Sequence, residues 1–335
     1  MSDMRFDVVG LGNAIVDVIA RADDDQLVRE SLRKGSMTLV DEGRADQLYA
    51  GMGPATIISG GSAANTIVGV ASFGARTAFI GKVRDDEAGK AFSHDIRSIG
   101  VHFGTSSAQD GPATARCLVM VTPDGERTMS TFLGACQNLT PDDVDPEIIR
   151  ASGITYLEGY LWDPPAAKQA FVKAADIAHA ANRNVALTLS DSFCVDRYRD
   201  EFLNLIKNGT LDVVFANQHE LKALYQTSDL QTAIDAFRSE NILGVVTCSA
   251  EGSIVVTREA THAVPAFPID NLVDTTGAGD LFAAGFLAGL ARDSDYITCA
   301  RLGALAAAEV IQHIGARPQA RLADLASEAG LGAAA

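Results

Sequence analysis

Short apolar runs of strand length alternate with segments of helical period along most of this chain, and that alternation decides the fold class. Residues 6–10, 77–80, 154–157, 185–189, 213–216, 245–248 and 253–256 read as strands, and 64–73, 88–99, 165–181, 218–225 and 231–238 read as helices. Strands separated by helices pair in parallel and are covered on both faces. The expected fold is therefore α/β, with a central, mostly parallel sheet flanked by helices. A hydrophobic content of 47% over 335 residues is ample for such a core. Two segments break the rhythm. Residues 14–41 and 105–133 show β-like alternation interrupted by turns, and Pro123-Asp124-Gly125 is strong turn chemistry for a hairpin. They read as a small β lid inserted into the larger unit. The expected division is 1–13, 42–104 and 134–326 for the α/β domain and 14–41 with 105–133 for the lid. No internal repeat is present, and the Ala/Gly-rich end after Ser327 is expected to fray.

Chemistry concentrates in Asp274-Thr275-Thr276-Gly277-Ala278-Gly279-Asp280, which runs straight into the apolar pattern of residues 281–290. Backbone N–H groups at a helix start are unpaired and carry the positive end of the helix dipole. Gly277, Ala278 and Gly279 offer almost no side chain, so an anion can come against those N–H groups. A carboxylate beside a phosphate site repels the phosphate. Asp280 makes sense there if it takes the proton of a hydroxyl that attacks a phosphoryl group held at the helix start. On its own the segment also fits a Gly-rich turn with an Asp cap. A second glycine turn, Ser59-Gly60-Gly61-Ser62-Ala63-Ala64-Asn65-Thr66, leads into another helical pattern. Paired glycines let a substrate lie against backbone, and the Asn65 amide can both donate and accept. A helix capped by Ser62 is the plainer alternative. The phosphate loop Gly-x-x-x-x-Gly-Lys-Ser/Thr is absent, and Gly10-Leu11-Gly12-Asn13 lacks the third glycine of a dinucleotide fingerprint.

With these two signatures in this order, the chain resembles the PfkB (ribokinase-like) carbohydrate kinase family, and within it the adenosine kinase branch. The resemblance runs from Val8-Val9-Gly10-Leu11-Gly12-Asn13 to about Pro318, and the Asp-Thr-Thr-Gly-Ala-Gly-Asp match is complete. It implies a ribokinase-like fold and a phosphotransferase with an alcohol group as acceptor, using ATP and Mg²⁺, with K⁺ as a further candidate cofactor. It implies Asp280 as catalytic base, with Gly277, Ala278 and Gly279 holding the transferred group. Arg127, after the lid strand, is the arginine that such enzymes bring to the phosphoryl group; read alone it is also a solvated hairpin residue. Asp17 becomes the partner of the ribose 2′ and 3′ hydroxyls, assisted by Asn13, Gly60, Gly61, Ser62 and Asn65, since one carboxylate can accept from two hydroxyls.

Asn217-Gln218-His219-Glu220 follows the strand 213–216, at the sheet end where open α/β folds bind ligands. The resemblance gives Asn217 and Glu220 the organisation of Mg²⁺ through its waters. The same spacing also fits a capping box. Thr247-Cys248-Ser249-Ala250-Glu251-Gly252 resembles the nucleotide loop, with Ser249 where relatives commonly have glycine. The small-residue segment 304–315, with Ala307, resembles the helix that walls the adenine of ATP. Asp274 and Thr276 are implied as a monovalent-cation site. For a nucleoside's base, a flat apolar slot is needed. Tyr160, Trp162 and Phe193 follow strand ends and are candidates, although each also fits simple core packing.

The formal net charge of −16 argues against nucleic acid or an anionic membrane as partner. No apolar run has the length of a membrane span. The first seven residues lack a basic region followed by an apolar one, and Cys117, Cys136, Cys194, Cys248 and Cys299 show no metal-ligand spacing. A cytoplasmic monomer or homodimer acting on a small nucleoside or sugar is expected. The main expectation is ATP-dependent phosphorylation of the 5′-hydroxyl of a ribonucleoside, foremost adenosine. The alternatives are a ribokinase- or fructokinase-like sugar kinase, and a nucleoside-binding protein without turnover.

Overall fold

A computed structural model describes residues 4–332. The first three residues, which bear on the reading of no secretory signal, and the last three of the Ala/Gly-rich end lie outside the described residues. The strands are β1 (Phe6–Leu11), β2 (Ile15–Arg21), β3 (Met37–Leu39), β4 (Ala55–Gly60), β5 (Thr77–Ile80), β6 (His102–Phe103), β7 (Ala115–Val121), β8 (Arg127–Phe132), β9 (Ser152–Glu158), β10 (Asn184–Thr188), β11 (Val213–Asn217), β12 (Leu243–Thr247), β13 (Ser253–Val256) and β14 (Thr261–Val264). The α-helices are α1 (Asp24–Arg29), α2 (Glu42–Gly51), α3 (Ser62–Ser72), α4 (Glu87–Ser98), α5 (Pro146–Arg150), α6 (Pro165–Ala180), α7 (Ser192–Lys207), α8 (Gln218–Leu224), α9 (Leu230–Ser239), α10 (Ala278–Leu290), α11 (Tyr296–Val310) and α12 (Leu322–Glu328).

The larger sheet has the order β14-β13-β12-β11-β10-β9-β1-β5-β6. It is parallel from β12 to β6, and β13 and β14 add an antiparallel edge. Alternation along each strand feeds two cores. Val8 of β1 joins α3, α10 and α11 on one face, while Val9 and Leu11 join α6, α7 and α8 on the other. α10 is buried continuously from Leu281 to Gly289 because it lies between α3 and α11.

The second sheet has the order β3-β8-β7-β2-β4 and forms the lid. Val16 and Val18 of β2 pack toward the larger core. Ile15 and Ile19 point the other way, with Cys117, Val119, Val121 and Met129. Asp17 shares the face of Ile15 and Ile19, opposite Cys117 and Ile58 in register.

The structure differs from the expected elements in several places. β4 lies in the range 42–104 assigned to the larger unit, yet it pairs with β2 in the lid sheet. Isolated from its partner, that strand carries no sequence mark of which sheet it joins. α7 occupies a stretch after the expected strand 185–189 to which no element is assigned from the sequence, and it starts at the N-cap Asp191. The helix expected over 304–315 is α11, which begins earlier and ends at Val310. Among the described residues no helix is long and apolar enough to cross a membrane, and all five cysteines are free and buried.

Candidate active site

The carboxyl ends of the parallel strands open onto one cleft of about 510 Å³, roofed by the lid. Glu158, Thr188, Asn217 and Thr247 are the last residues of β9, β10, β11 and β12 or adjoin them, and Asn13 follows β1; all line it. The lid contributes an apolar wall that includes Ile15, Met37, Val119 and Met129, with Asp17 and Arg127 set into it.

Glu158 organises the floor. It is 1% exposed. Its Oε1 accepts from Asn13 Nδ2 at 2.6 Å, and its Oε2 accepts from the Ala63 N–H at 2.8 Å and the Asn13 N–H at 3.3 Å. One carboxyl group thus ties β1, β9 and the start of α3 together. Burial pushes it up to about 7, against these hydrogen bonds. Across the cleft, Gly60 lies behind Asp17, where a methyl group would meet the carboxylate at 2.3 Å. Burial raises Asp17 to about 6, with Arg317 and Arg127 pulling the other way.

Asp280 stands in the first turn of α10. Its Oδ1 accepts from Ser62 Oγ at 2.6 Å and its Oδ2 from Asn65 Nδ2 at 3.1 Å. A carboxylate with two donors still has lone pairs for a substrate proton. Burial raises it above the usual carboxylate range, the direction that suits a base. α10 starts at Gly277, whose φ of 80° is left-handed, and no side chain caps it. A methyl group at Gly277 would meet Ala316 at 2.7 Å, whereas at Gly279 it would meet nothing within 4 Å. The turn is fixed from behind and open in front.

Asp274 does the fixing. It is 8% exposed. Its Oδ1 accepts from the Thr276 N–H at 3.0 Å and its Oδ2 from the Gly315 N–H at 3.1 Å. Arg127 Nε lies 3.0 Å from the same Oδ2, both side chains being over nine-tenths buried. A guanidinium therefore already sits on the carboxylate expected to hold a monovalent cation. The residues do not fit K⁺ in this arrangement. The ion pair also joins the lid strand β8 to the turn before α10.

At the carboxyl end of β11, Asn217 and Glu220 form a reciprocal capping box. Glu220 Oε2 accepts from the Asn217 N–H at 2.9 Å and Oε1 from its Nδ2 at 2.5 Å, while Asn217 Oδ1 accepts from the Glu220 N–H at 2.9 Å. Glu220 is 4% exposed yet lines the cleft, and burial raises it to about 7. Its remaining lone pairs fit a hydrated Mg²⁺, which needs few protein ligands.

The cleft brings together Asn13, Asp17, Gly61, Ser62, Asn65, Arg127, Tyr160, Asn217, Glu220, Thr247, Thr276, Gly277, Ala278, Gly279 and Asp280. Other expected residues stand elsewhere. Phe193 is 80% exposed on the first turn of α7 and does not line the cleft; the capping of α7 by Asp191 turns it outward. Trp162 is core, packed on Phe171 and Phe202 with its Nε1 donating to Glu201 at 2.8 Å. Ala307 packs against the core. Ser249 opens and Gly252 caps a single 3₁₀ turn, and neither lines the cleft. Ser249 has a φ of 54°, a left-handed conformation that glycine adopts freely. Glu158 and Arg317 went unnoticed in the sequence. An acid ending an otherwise apolar strand was a signal for Glu158. Arg317 had none, since its partners lie some 250 positions away.

The family model described as pfkB family carbohydrate kinase matches residues 53–321. A crystal structure of adenosine kinase from Sinorhizobium meliloti is 52% identical, covers 97% of this chain and 99% of its own, and superposes with a TM-score of 0.90. A probable sugar kinase from Rhizobium etli is 48% identical, covers 98% of this chain and 99% of its own, and has a TM-score of 0.92. The adenosine kinase of Saccharomyces cerevisiae is 28% identical over 335 residues, spanning 93% of this chain and 96% of that protein.

Proposed function

This chain belongs to the pfkB family of carbohydrate kinases, phosphotransferases with an alcohol group as acceptor, and from that premise we propose that it phosphorylates the 5′-hydroxyl of a ribonucleoside, foremost adenosine. The observation that carries the reading is the placement of Asp280. It stands at the open start of α10, held by Ser62 and Asn65, in the same cleft as Asp17. In this reading Asp17 accepts hydrogen bonds from the vicinal ribose hydroxyls. That binding presents the primary hydroxyl to Asp280, which takes its proton as the oxygen attacks. The amides at the α10 start hold the negative charge of the transferred group, and Arg127 adds a positive charge from the lid. ATP with its Mg²⁺ supplies the phosphoryl group and would lie along Asn217, Glu220 and Thr247. The lid excludes water that would otherwise compete as acceptor.

A nucleoside also needs a wall for its base. The apolar lid face with Ile15, Val119 and Met129, together with Tyr160, supplies one in place of Phe193. The similarity to a probable sugar kinase supports a second reading, in which the acceptor is a free sugar. A silent binding protein has the least support, because Asp280 and its two donors are all in place. ADP release measured with adenosine, other nucleosides, ribose and fructose separates these readings. Adenosine as best acceptor supports the proposal, ribose or fructose as best acceptor replaces it with the second reading, and no release with any acceptor removes both.

A further inference from the structure

Arg317 lies in the loop after α11, far in sequence from every group it touches. Its Nε donates to Asn65 Oδ1 at 2.7 Å, and its Nη2 donates to the Ser59 carbonyl at 2.8 Å and to Ser59 Oγ at 3.1 Å. Asn65 is 5% exposed and has one amide to place. A guanidinium has donors only, so the amide must give Arg317 its oxygen. That choice leaves the NH₂ end for Asp280 Oδ2, at 3.1 Å. Turned the other way, the amide would set its oxygen against a carboxylate and its NH₂ against a guanidinium, two repulsions in place of two hydrogen bonds.

We propose that Arg317 is a positioning residue for Asp280, acting through Asn65: it fixes the amide in the one orientation that holds the carboxylate toward the acceptor hydroxyl. The inference rests on the kinase reading above. Arg317 also sets the charge around the base. Asp17 on β2, Glu158 on β9 and Asp95 on α4 lie on the acidic side of this neighbourhood, and Arg127 on β8 and Arg317 are its cations. Asp280 is raised by burial and pulled back by Ser62, Asn65 and Arg317. Burial lowers Arg317 itself to about 10, against the opposing pull of Asp95, Asp17 and Asp280, so it stays charged at neutral pH. Loss of the guanidinium therefore moves the base upward.

The test compares Arg317→Met, Arg317→Lys and Asn65→Ala by steady-state ADP release with adenosine across pH. A loosened catalytic group can cost on the order of 10²-fold, and Arg317→Met should lower kcat by that order with KM for adenosine little changed. The acid limb of its kcat profile should move to higher pH, and Arg317→Lys should restore the limb while leaving kcat low, because one ammonium cannot hold Asn65 and Ser59 as a planar fork does. In the Asn65→Ala background, Arg317→Met should cost little more. Wild-type kcat in a folded Arg317→Met, a rise in KM alone, or losses that multiply in the double variant would each overturn the proposal. If Arg317→Met does not fold, Arg317→Lys decides alone: unchanged kcat overturns the inference. An inactive wild type would instead remove the kinase reading on which it rests.

Discussion

α3 and α10 begin alike and end up with opposite tasks. Both open at a glycine with left-handed φ, 96° at Gly61 and 80° at Gly277, and neither has a side-chain cap. Both therefore present amides with no partner inside their own helix and a positive dipole end. At α3 the protein fills the position itself, since the Glu158 carboxyl group accepts from the Ala63 amide. At α10, among the described residues, no carboxyl group accepts from the Gly277 or Gly279 N–H; Asp274 stops one residue short at the Thr276 N–H, Gly279 faces open space, and Asp280 is anchored from the side by Ser62 and Asn65. The same local geometry is a structural joint where the fold supplies the acceptor and, on the proposed function, a substrate site where it does not. Local sequence cannot separate the two cases. The deciding group for α3 sits on β9, nearly a hundred residues downstream.

The largest effect belongs to the open end. Asp280→Asn should lower kcat by on the order of 10² to 10⁴, with adenosine binding measured by calorimetry largely kept; near-normal turnover would make Asp280 a mere cap and erase the contrast. Asp17→Ala should come next, lowering kcat/KM by about 1.5–3 kcal/mol, the worth of hydrogen bonds to a charged group. For a free sugar and for adenosine the loss should be similar, since both carry vicinal hydroxyls.

The filled end should answer in stability instead. Glu158→Ala leaves the Ala63 and Asn13 donors without their acceptor, at about 1–3 kcal/mol for each one left unpaired. Glu158 also gives that joint a pH dependence. Its folded value of about 7 lies above the ordinary 4.5, so the folded state holds the proton more tightly than the unfolded chain. Its contribution is complete below 4.5 and is lost as pH rises to about 7. The Tm of the ligand-free protein should fall across that window, and fall less in Glu158→Gln. A flat Tm profile would mean that the carboxyl group is ionised throughout. Smallest of all, Phe193→Ala should leave adenosine turnover unchanged, because the ring is exposed on α7; a selective loss with adenosine would return the base to Phe193.

Much of this is legible in the amino-acid sequence itself. The strands 77–80 and 253–256 were readable to the residue, because an apolar run bounded by turn residues has one sensible structure. The two glycine turns were readable as helix starts and as a pair. Unreadable features depend on pairing at a distance. β4 joins the lid because of its register with β2, and Asp274 meets Arg127 because the lid folds over the sheet. Phe193 misled because a strand end suggests the cleft, while the Asp191 cap that begins α7 carries the ring outward. The capping box and the phosphate-side reading of Asn217 and Glu220 were both offered by one spacing; the box is present in the structure, and the metal role stands as part of the proposal.

The contrast between the two helix starts is tested most directly by Gly279→Ala, with kcat and Tm measured on the same preparation. A methyl group at Gly279 touches nothing in the protein, so Tm should match wild type. It would occupy the place of the transferred phosphoryl group, and kcat should fall on the order of 10²-fold, as when a transition-state donor is lost. An unchanged kcat at unchanged Tm would contradict the assignment of the α10 start as the phosphoryl site.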